Sequence, residues 1–442
     1  MTGWTELQHA GSQPVARDTA TETGTDAVIA GFAAAPSALP LDCGVQHYDW
    51  GDTDYLPRLL GEPNPTRRPF AELWIGAHPD LPSVARLDRA SVPLERLIDA
   101  LPETMLGGAS IGRFGPRLPF LLKLLAAGRP LSIQAHPDTD QARAGFAREN
   151  RAGIPMDDAR RSYPDATHKP ELVVALTDFH ALRGFRPLAE IVAELQATAS
   201  LAPLAGRLDH GLSGLESLYR ELMTLPQADV NRLLDPLIEG LTETRADRPF
   251  DVDDRRDWLL QADQNFSRPD SRDRGLLSLL LLNLVHLRPG QAMYLPAGEL
   301  HCYLRGAAVE VMANSNNVLR GGLTGKHIDV AELLRIVRVD PGPVQLVQPT
   351  APDRPDLPHG YRVPAAEFAL EHHQIAAGEC RPLSAGRLRL GIVLQGRVEL
   401  SRAGRTGLGI GLGRGQAFVV PAACKTNLRG TEPAIVYIAR AP

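Results

Sequence analysis

Hydrophobic and polar positions change their spacing along the chain in a way that predicts two kinds of segment. From Leu39, short apolar runs are broken by Gly and Pro, a pattern typical of strands and turns. Across residues 187–262, apolar positions recur every three or four residues, which predicts helices. Strand-like runs return at Leu276 and continue towards the C-terminus. The chain is therefore predicted to be mainly β with an α-helical insert.

Local signals add detail to this outline. The sequence from Pro119 to His136 contains two apolar runs split by an Ala-Gly-Arg-Pro turn, which predicts a hairpin. Residues 139–162 have a charged, helix-like texture, and Asp329 is placed to cap a helix beginning near Val330.

These textures divide the chain into predicted regions. Residues 1–36, rich in Ala, Thr, Gly and Ser without periodicity, are predicted to be a disordered leader. Residues 37–186 and 263–340 are predicted to form one β-barrel, interrupted by a helical domain at 187–262. Residues 341–442 begin with a proline-rich linker and are predicted to form a second barrel. Many short strands with Gly and Pro turns favour jelly rolls over a parallel sheet.

Composition excludes several classes of protein. With 43% hydrophobic and 22% charged residues, the 442-residue chain is neither fully disordered nor fibrous. A net charge of −5 without a long basic run argues against nucleic acid as a partner but permits a phosphorylated small molecule. The longest apolar stretch, Leu276–Leu287, is too short to span a bilayer. Scattered cysteines without a CxxC pair and no signal-like N-terminus favour a reducing, cytoplasmic location.

Lysine is rare in this chain. Of 47 basic residues only four are lysines, at positions Lys123, Lys169, Lys326 and Lys425. A lysine that persists among so many arginines is a candidate for a role that needs a compact, titratable ammonium. The alternative is that these four are a chance remainder of a biased composition.

The segment Gly290–His301 has the spacing G-x5-P-x-G-x2-H. This spacing resembles the second signature motif of the cupin β-barrels, in which the histidine binds a metal. Gly298 permits a tight turn, Pro296 ends one strand, and His301 begins the next. The resemblance makes the two predicted jelly-roll barrels cupin-like.

Three further residues complete a candidate metal site. Gln134 and His136, two positions apart, would share one face of a strand, and Glu171 opens an alternating apolar strand. Each is a weak signal alone, since Glu171 could equally be a solvated strand end. Together with His301 they offer two nitrogens and two oxygens, a set that suits zinc with an open position.

A glycine-rich polar loop follows the His301 strand. It carries Glu310, Arg320 and Lys326 within the sequence "EVMANSNNVLRGGLTGKHIDV". An ordinary surface loop is the alternative interpretation, but the rarity of lysine favours a function for Lys326.

With these pieces assembled, the chain resembles the type I mannose-6-phosphate isomerase (phosphomannose isomerase) family. The resemblance implies one zinc per chain, bound by Gln134, His136, Glu171 and His301. It implies reversible conversion of mannose 6-phosphate to fructose 6-phosphate through an enediol, within mannose and GDP-mannose metabolism. The matching segments run from about residue 41 to 337 and are "CGVQHYDWG", "AELWIGAHP", "LPFLLKLL", "LSIQAHPD", "HKPELVVALTDFHALRGFRP", "PGQAMYLPAGELHCYL" and "VEVMANSNNVLRGGLTGKHID".

The same resemblance implies roles for pocket residues. Arg320 is implied to be catalytic, and Glu310 and Lys169 are candidates for proton handling, with the base left open between them. The implied substrate-binding residues are Lys326, Trp50, Tyr303, Ser132 and Lys123. Three positions depart from the family pattern, namely Asn316, Gly325 and Cys302.

The C-terminal unit repeats part of the cupin spacing. Gly415-x5-Pro421 matches Gly290-x5-Pro296, but Cys424 and Lys425 follow where a histidine would be expected. We therefore expect a second cupin-like barrel without a metal site.

Two other functions compete with the isomerase. Another metal-dependent cupin enzyme, such as a dioxygenase, would need more histidines and would not need the Arg320 and Lys326 loop. A non-catalytic, sugar-phosphate-binding relative would be favoured by a lost metal ligand. The expected partners are a small sugar phosphate, with neither nucleic acid nor membrane, and the expected state is a monomer or weak homo-oligomer.

Overall fold

The computed structural model of the protein describes residues 22–87, 90–350, 358–404 and 409–441. One 3-10 helix spans Ala202–His210. The α-helices are α1 (Glu22–Ala34), α2 (Tyr55–Leu60), α3 (Leu94–Ala100), α4 (Pro102–Leu106), α5 (Gly108–Phe114), α6 (Thr139–Arg151), α7 (Leu188–Gln196), α8 (Leu212–Thr224), α9 (Gln227–Arg245), α10 (Arg255–Phe266), α11 (Gly275–Leu281) and α12 (Val330–Ile336).

The strands occupy both halves of the chain. The first thirteen are β1 (Leu39–Asp42), β2 (Gly44–Gln46), β3 (Glu72–Ile75), β4 (Val84–Leu87), β5 (Ala90–Pro93), β6 (Phe120–Ala127), β7 (Ile133–Ala135), β8 (Glu171–Ala175), β9 (Phe179–Phe185), β10 (Leu282–Leu287), β11 (Ala292–Leu295), β12 (His301–Ala313) and β13 (Leu319–Gly322). The rest are β14 (His359–Tyr361), β15 (Ala369–Ile375), β16 (Cys380–Leu383), β17 (Arg389–Gln395), β18 (Arg397–Arg402), β19 (Ile410–Gly413), β20 (Ala417–Val420), β21 (Thr426–Gly430) and β22 (Ala434–Arg440).

Three antiparallel sheets are built from these strands. A ten-stranded sheet follows the order β10-β9-β12-β6-β3-β2, with β7, β8, β11 and β13 attached beside this path. An eight-stranded sheet has the order β14-β15-β22-β17-β20-β1-β4-β5, and a four-stranded sheet has the order β16-β21-β18-β19. The prediction of antiparallel β structure with a helical insert is confirmed, because α7 to α10 fill the stretch between β9 and β10.

Alternating side chains of the two large sheets build one apolar core. Leu122 and Leu124 of β6 share a buried cluster with Leu390 and Ile392 of β17, and none of the four is exposed. Full burial of such a side chain contributes about 2 kcal/mol. This shared core holds the ten-stranded sheet, which carries the candidate metal ligands, against the eight-stranded one.

Strand β12 organises the ten-stranded sheet. Its first part pairs with β7 and β9, and its second part pairs with β6 and β8. Between them lies Gly306 at φ +119°, where an added Cβ would meet the Asp178 carbonyl oxygen at 2.5 Å. Because β6 and β7 both pair with β12, the hairpin predicted for Pro119–His136 is wrong.

The predicted disordered leader is also wrong in part. Residues Glu22–Ala34 form α1, and its Ile29 and Phe32 side chains are buried in the main core. Composition hid this helix, because its many small residues leave few large apolar side chains to show a period. Residues 1–21 of the predicted leader lie outside the described residues.

Other sequence expectations have definite outcomes. The Leu276–Leu287 stretch is a helix, α11, followed directly by β10. Asp329 caps α12, since its carboxylate accepts a hydrogen bond from the Glu332 amide at 3.0 Å. No helix within the described part of the chain is both long and apolar enough to cross a membrane. The division into domains stays a prediction. Strands β1, β4 and β5, from the N-terminal part of the chain, share a sheet with strands from beyond residue 358.

We expect Glu371 to make the eight-stranded sheet sensitive to acid. Arg440 Nε lies 2.7 Å from Glu371 Oε1, and His373 Nε2 lies 3.3 Å from Oε2. Burial opposes ionisation, but hydrogen bonding from His373 and the charge of Arg440 lower the pKa of Glu371 to about 2. A depressed carboxyl pKa contributes stability above the unfolded value of about 4.5 that is lost as the pH falls through the folded value.

Glu371→Gln should therefore lower the free energy of unfolding by about 2 kcal/mol near neutral pH. The difference from the wild type should shrink as the pH falls from about 4.5 towards about 2, measured by urea unfolding at a series of pH values. The control is Glu432→Gln, which removes only an exposed ion pair with Arg397. A difference for Glu371→Gln that does not change with pH would contradict the ionic origin.

Candidate metal centre

Two strands and one strand end bring three candidate ligands together. His301 is the first residue of β12, Glu171 is the first residue of β8, and His136 directly follows β7. Nε2 of His136 lies 3.3 Å from Glu171 Oε1, and Nε2 of His301 lies 3.5 Å from Oε2. All three residues are buried. The predicted turn is present, with Gly298 at φ +78° just before β12.

Backbone carbonyls orient both imidazoles. His136 Nδ1 is 2.7 Å from the Asn317 carbonyl oxygen, and His301 Nδ1 is 2.9 Å from that of Glu299. A carbonyl only accepts, so each Nδ1 carries the hydrogen and each Nε2 presents a lone pair towards Glu171. Metal-binding histidines are held by the same kind of outer hydrogen bond.

The cluster has unsatisfied atoms of the kind that a metal would satisfy. Within the described residues, Nε2 of His136, Nε2 of His301 and Oε2 of Glu171 are buried without a hydrogen-bond partner. Their ligand atoms lie within 4.8 Å of one another. Buried polar atoms without partners cost about 1–3 kcal/mol each. A dication coordinated by all three atoms removes that cost, and two imidazoles with a carboxylate suit zinc.

Gln134 lies beside this cluster. Its Cα is paired with that of His301 in one direction and with that of Arg320 in the other. The half-buried residue thus stands between the metal cluster and the polar loop. Its position agrees with the expectation of a fourth ligand, and that role stays a prediction.

Lys169 sets the charge of the cluster. Its Nζ lies 3.1 Å from Glu171 Oε1. Burial opposes ionisation of Glu171, yet the charge of Lys169 holds its pKa well below the usual range. Burial, followed by the Lys169 charge, lowers the pKa of His136 to about 4. A carboxylate anion and a neutral imidazole are the forms that bind a metal at neutral pH.

A second buried charge cluster lies along β3, β6 and β12. Lys123 Nζ is 3.4 Å from Glu72 Oε2 and 3.6 Å from Glu310 Oε2. The Tyr303 hydroxyl donates to Glu310 Oε1 at 2.7 Å. Burial, and then the charge of Glu171, raises the pKa of Glu310 to about 7. This raised pKa places Glu310 in the range where a carboxyl group can both accept and release a proton.

Sequence reasoning missed Glu72, Trp74 and His78 as members of this polar network. Trp74 Nε1 donates to Glu72 Oε2 at 2.6 Å, and the Trp74 and His78 rings lie 4.8 Å apart, edge to face. His78 Nε2 is 3.1 Å from Asn316 Oδ1, so the departure at Asn316 joins the same network. One signal was available, since Lys123 lies inside the apolar run "LPFLLKLL" and a buried lysine requires a carboxylate partner.

Arg320 and Lys326 are two cations that have no carboxylate partner within the described part of the chain. Arg320 lies on β13, and burial lowers its pKa. The pKa of Lys326 is lowered by burial and then by the Arg320 charge. Among the described residues, no carboxylate contributes to the pKa shift of Arg320 or Lys326. Adjacent cations in this state favour an anionic ligand such as a phosphate.

Trp50 and Ser132 are placed by backbone hydrogen bonds of the segment that follows β6. The Trp50 ring stacks on Tyr48 at 5.8 Å, and its carbonyl accepts from the Gly128 amide at 2.9 Å. The amide of Leu131, next to Ser132, donates to the Tyr303 carbonyl at 2.9 Å. Both residues therefore lie near the segment that directly follows β6. Their contact with substrate stays a prediction.

A cavity of about 460 Å³ lies elsewhere, lined by residues of α2 together with Arg305 and Arg414. None of the predicted site residues lines this cavity. The candidate site is therefore assigned from the chemistry of its side chains and not from the position of this cavity.

The site is a buried cluster of two histidines and one glutamate beside a lysine, on an antiparallel sheet. This combination of fold and site is typical of metal-dependent proteins of the cupin class. Comparison with known proteins narrows this class. The family model described as phosphomannose isomerase type I, catalytic domain, matches residues 38–188. Mannose-6-phosphate isomerase of Escherichia coli is 41% identical over 340 residues, which are 76% of this chain and 83% of that protein.

Two further comparisons cover nearly the whole chain. The human mannose-6-phosphate isomerase is 32% identical over 433 residues, covering 92% of this chain and 99% of that protein. The structure of the Salmonella typhimurium enzyme bound to its substrate, fructose 6-phosphate, and to zinc superimposes with a TM-score of 0.80 at 36% identity, covering 91% of this chain and 99% of that one. The chain belongs to the type I mannose-6-phosphate isomerase family, which confirms the resemblance and the cupin fold.

Replacement of His301 tests the metal centre. His301→Ala should lose tightly bound zinc and isomerase activity together, because it removes one of two imidazoles from the cluster. Metal content would be measured by mass spectrometry after dialysis against a chelator of moderate strength. Cys424→Ser is the control, since this buried cysteine lies two residues before Thr426, the position that the Gly415-x5-Pro421 spacing matches to His301. Tight zinc that persists in His301→Ala would contradict the assigned cluster.

Proposed function

We propose that the protein is a zinc-dependent aldose–ketose isomerase that interconverts mannose 6-phosphate and fructose 6-phosphate. The observation that carries the proposal is the pairing of Arg320 with Gln134, which in turn is paired with His301 of the His136, Glu171 and His301 cluster. Lys326 contributes a second cation, close enough for the Arg320 charge to lower its pKa. A metal centre beside an unpaired cationic pair suits a sugar phosphate. Relatives with this activity in their names, and a relative with bound fructose 6-phosphate and zinc, support the same conclusion.

The residues that would hold zinc are His136, Glu171 and His301, with Gln134 as the proposed fourth ligand. When bound, the ion supplies positive charge that stabilises an oxygen anion developing on the substrate. Lys169 keeps Glu171 ionised and so maintains the site in the form ready for metal.

The reaction moves a proton from C2 of the aldose to C1 through an enediol, so a group must accept and return it. Two residues of this chain are proposed for proton handling. Glu310 has a raised pKa, and its oxygens contact Tyr303 and Lys123. Lys169 is buried beside the metal cluster and contacts Glu171. The structure thus leaves two candidates for the base, and a variant of each is needed to separate them.

Arg320 and Lys326 are proposed to divide the charges of the substrate. Arg320 is half-buried beside Gln134, where its planar fork can stabilise negative charge that develops on the reacting oxygens. Lys326 is more exposed and suits the phosphate group, which carries its charge before and after the reaction. Trp50, Tyr303, Ser132 and Lys123 complete the proposed pocket.

Two competing functions make different predictions in one assay. Conversion of mannose 6-phosphate would be followed by a coupled assay for fructose 6-phosphate. A dioxygenase-like cupin would consume oxygen without forming this product, and a non-catalytic relative would bind the sugar phosphate without turnover. Steady formation of fructose 6-phosphate, lost on chelation and restored by zinc, is the expected result.

The proposal includes the setting of the enzyme. All four cysteines are free thiols, which supports a reducing compartment, and we propose the cytoplasm. A monomer or weak homo-oligomer stays the predicted state, with a small sugar phosphate as its partner.

The roles of Arg320 and Lys326 can be separated by kinetics. Loss of a buried charge contact costs roughly 2–5 kcal/mol, so Arg320→Ala should lower kcat by about 30-fold or more. Arg320→Lys should restore little, because an ammonium lacks the planar fork. Lys326→Ala should chiefly raise KM for mannose 6-phosphate. Zinc content and unfolding temperature serve as controls, and changes below about threefold for both residues would contradict the proposed pocket.

Hydrogen exchange with solvent separates the two candidates for the base. Each variant would be incubated with fructose 6-phosphate in D₂O, and deuterium at C1 would be measured by NMR. If Glu310 handles the proton, Glu310→Gln should lose exchange by about 100-fold while zinc stays bound. If Lys169 does so, Lys169→Met with its zinc content shown to be normal should lose exchange, and Glu310→Gln should retain most of it. Exchange retained in both variants would exclude both residues.

A further inference from the structure

A second group of metal-ligating side chains lies outside the candidate active site. His180 on β9 and His286 on β10 are directly paired across the two strands. Their rings stack, with centroids 4.4 Å apart and planes inclined by 20°. Two imidazoles in register on neighbouring strands can direct nitrogens towards one point in space.

The third member of this group comes from the helical insert. Asp253, just before the N-cap of α10, places its Oδ1 3.6 Å from His180 Nε2 and 3.5 Å from His286 Nδ1. The ligand atoms of all three residues lie within 4.8 Å of one another. These spacings are close to the 3.3 and 3.5 Å between imidazole and carboxylate in the candidate zinc site.

His180 provides an independent sign of a missing ligand. The residue is only 3% exposed, and within the described part of the chain its Nε2 is buried without a hydrogen-bond partner. A buried polar nitrogen in this state costs free energy unless an ion or a water satisfies it. Burial lowers the pKa of His180, which favours the neutral ring that can bind a metal.

A second carboxylate orients His286. Asp178 Oδ1 accepts a hydrogen bond from His286 Nε2 at 2.9 Å. In the neutral ring Nδ1 then has a lone pair, which faces the Asp253 carboxylate. Nδ1 of His286 and Oδ1 of Asp253 lie 3.5 Å apart, a spacing at which both atoms can coordinate one cation. A carboxylate that holds the outer nitrogen of a metal-binding histidine is a recurring feature of metal sites.

We propose that His180, His286 and Asp253 form a second site for a transition-metal dication of the zinc class, with Asp178 as the residue that positions His286. The set of two imidazoles and one carboxylate leaves a fourth position for water. Asp253 is 68% exposed, so the ion can enter directly from solvent, and binding is expected to be weaker than at the buried site.

A metal in this place would connect two parts of the fold. His180 and His286 belong to the ten-stranded sheet, whereas Asp253 lies between α9 and α10 of the helical insert. The sheet and the insert already meet here, because the Arg305 guanidinium lies over the rings of Phe250 and Trp258, at 4.9 and 5.2 Å. The ion would add a coordinate link at the edge of this contact and stabilise the docked insert.

Counting bound zinc tests the proposal. Enzyme with zinc already in the first site would be dialysed against increasing free Zn²⁺, and bound metal would be measured by mass spectrometry. The wild type should take up a second equivalent, and His286→Gln and Asp253→Asn should not. Asp178→Asn should retain the site but raise the half-saturating zinc concentration by about tenfold.

A matched control and a second readout keep the result clear. His359→Gln alters another histidine that lies beside a histidine, His372, with ring centroids 6.0 Å apart, and it should keep the second equivalent. Isomerase activity and the first zinc should be unchanged in His286→Gln, and its unfolding temperature should no longer rise with added Zn²⁺. If His286→Gln fails to fold, the exposed Asp253→Asn variant decides the outcome.

Three results would overturn the proposal. One is a wild type that binds a single equivalent at all zinc concentrations below those that precipitate the protein. Another is a second equivalent that persists in both His286→Gln and Asp253→Asn. The third is loss of that equivalent in His359→Gln, which would place it in the C-terminal unit.

Discussion

The placement of one carboxylate between two neutral imidazoles and one ammonium is the constraint on which the rest of the site depends. Glu171 is buried, and burial alone would favour its neutral form. The Lys169 ammonium at 3.1 Å reverses that preference and keeps an anion inside the protein. The imidazoles of His136 and His301 remain as lone-pair donors because backbone carbonyls hold their other nitrogens. The fold thus prepares both the charge and the direction of every donor before any ion arrives.

Strand β12 connects the His136, Glu171 and His301 cluster to the residues proposed for proton handling. It begins at His301, passes Tyr303 and reaches Glu310, so one continuous strand carries a proposed ligand, a hydrogen-bond donor and a carboxyl group with a raised pKa. The positive φ of Gly306 lies where the pairing partners of the strand change. Relative positions in such a strand are set by backbone geometry, which gives the precise placement that catalysis needs.

The sequence predicted the structure best where the role of a residue depends on its near neighbours in the chain. The His301 turn, the start of β8 at Glu171 and the Asp329 cap all follow from residues whose roles are local. Pairings between distant segments were not available in this way, so the hairpin expected at Pro119–His136 was wrong. Helix α1 was missed because tertiary burial of a few side chains outweighs its weak amphipathic pattern. Likewise, no local signal linked Lys123 to Glu72 on the neighbouring strand.

The place of β1 in the eight-stranded sheet has a consequence for how the chain acquires its structure. Leu39 pairs with Val419, so a strand made early in synthesis finds its partner β20 only when almost the whole chain has been made. Closing so large a loop carries a high entropic cost and slows folding. Until then β1 and β4 would form an unprotected sheet edge, which is a site for aggregation. Truncation within the last strands would therefore endanger the beginning of the chain as well as its end.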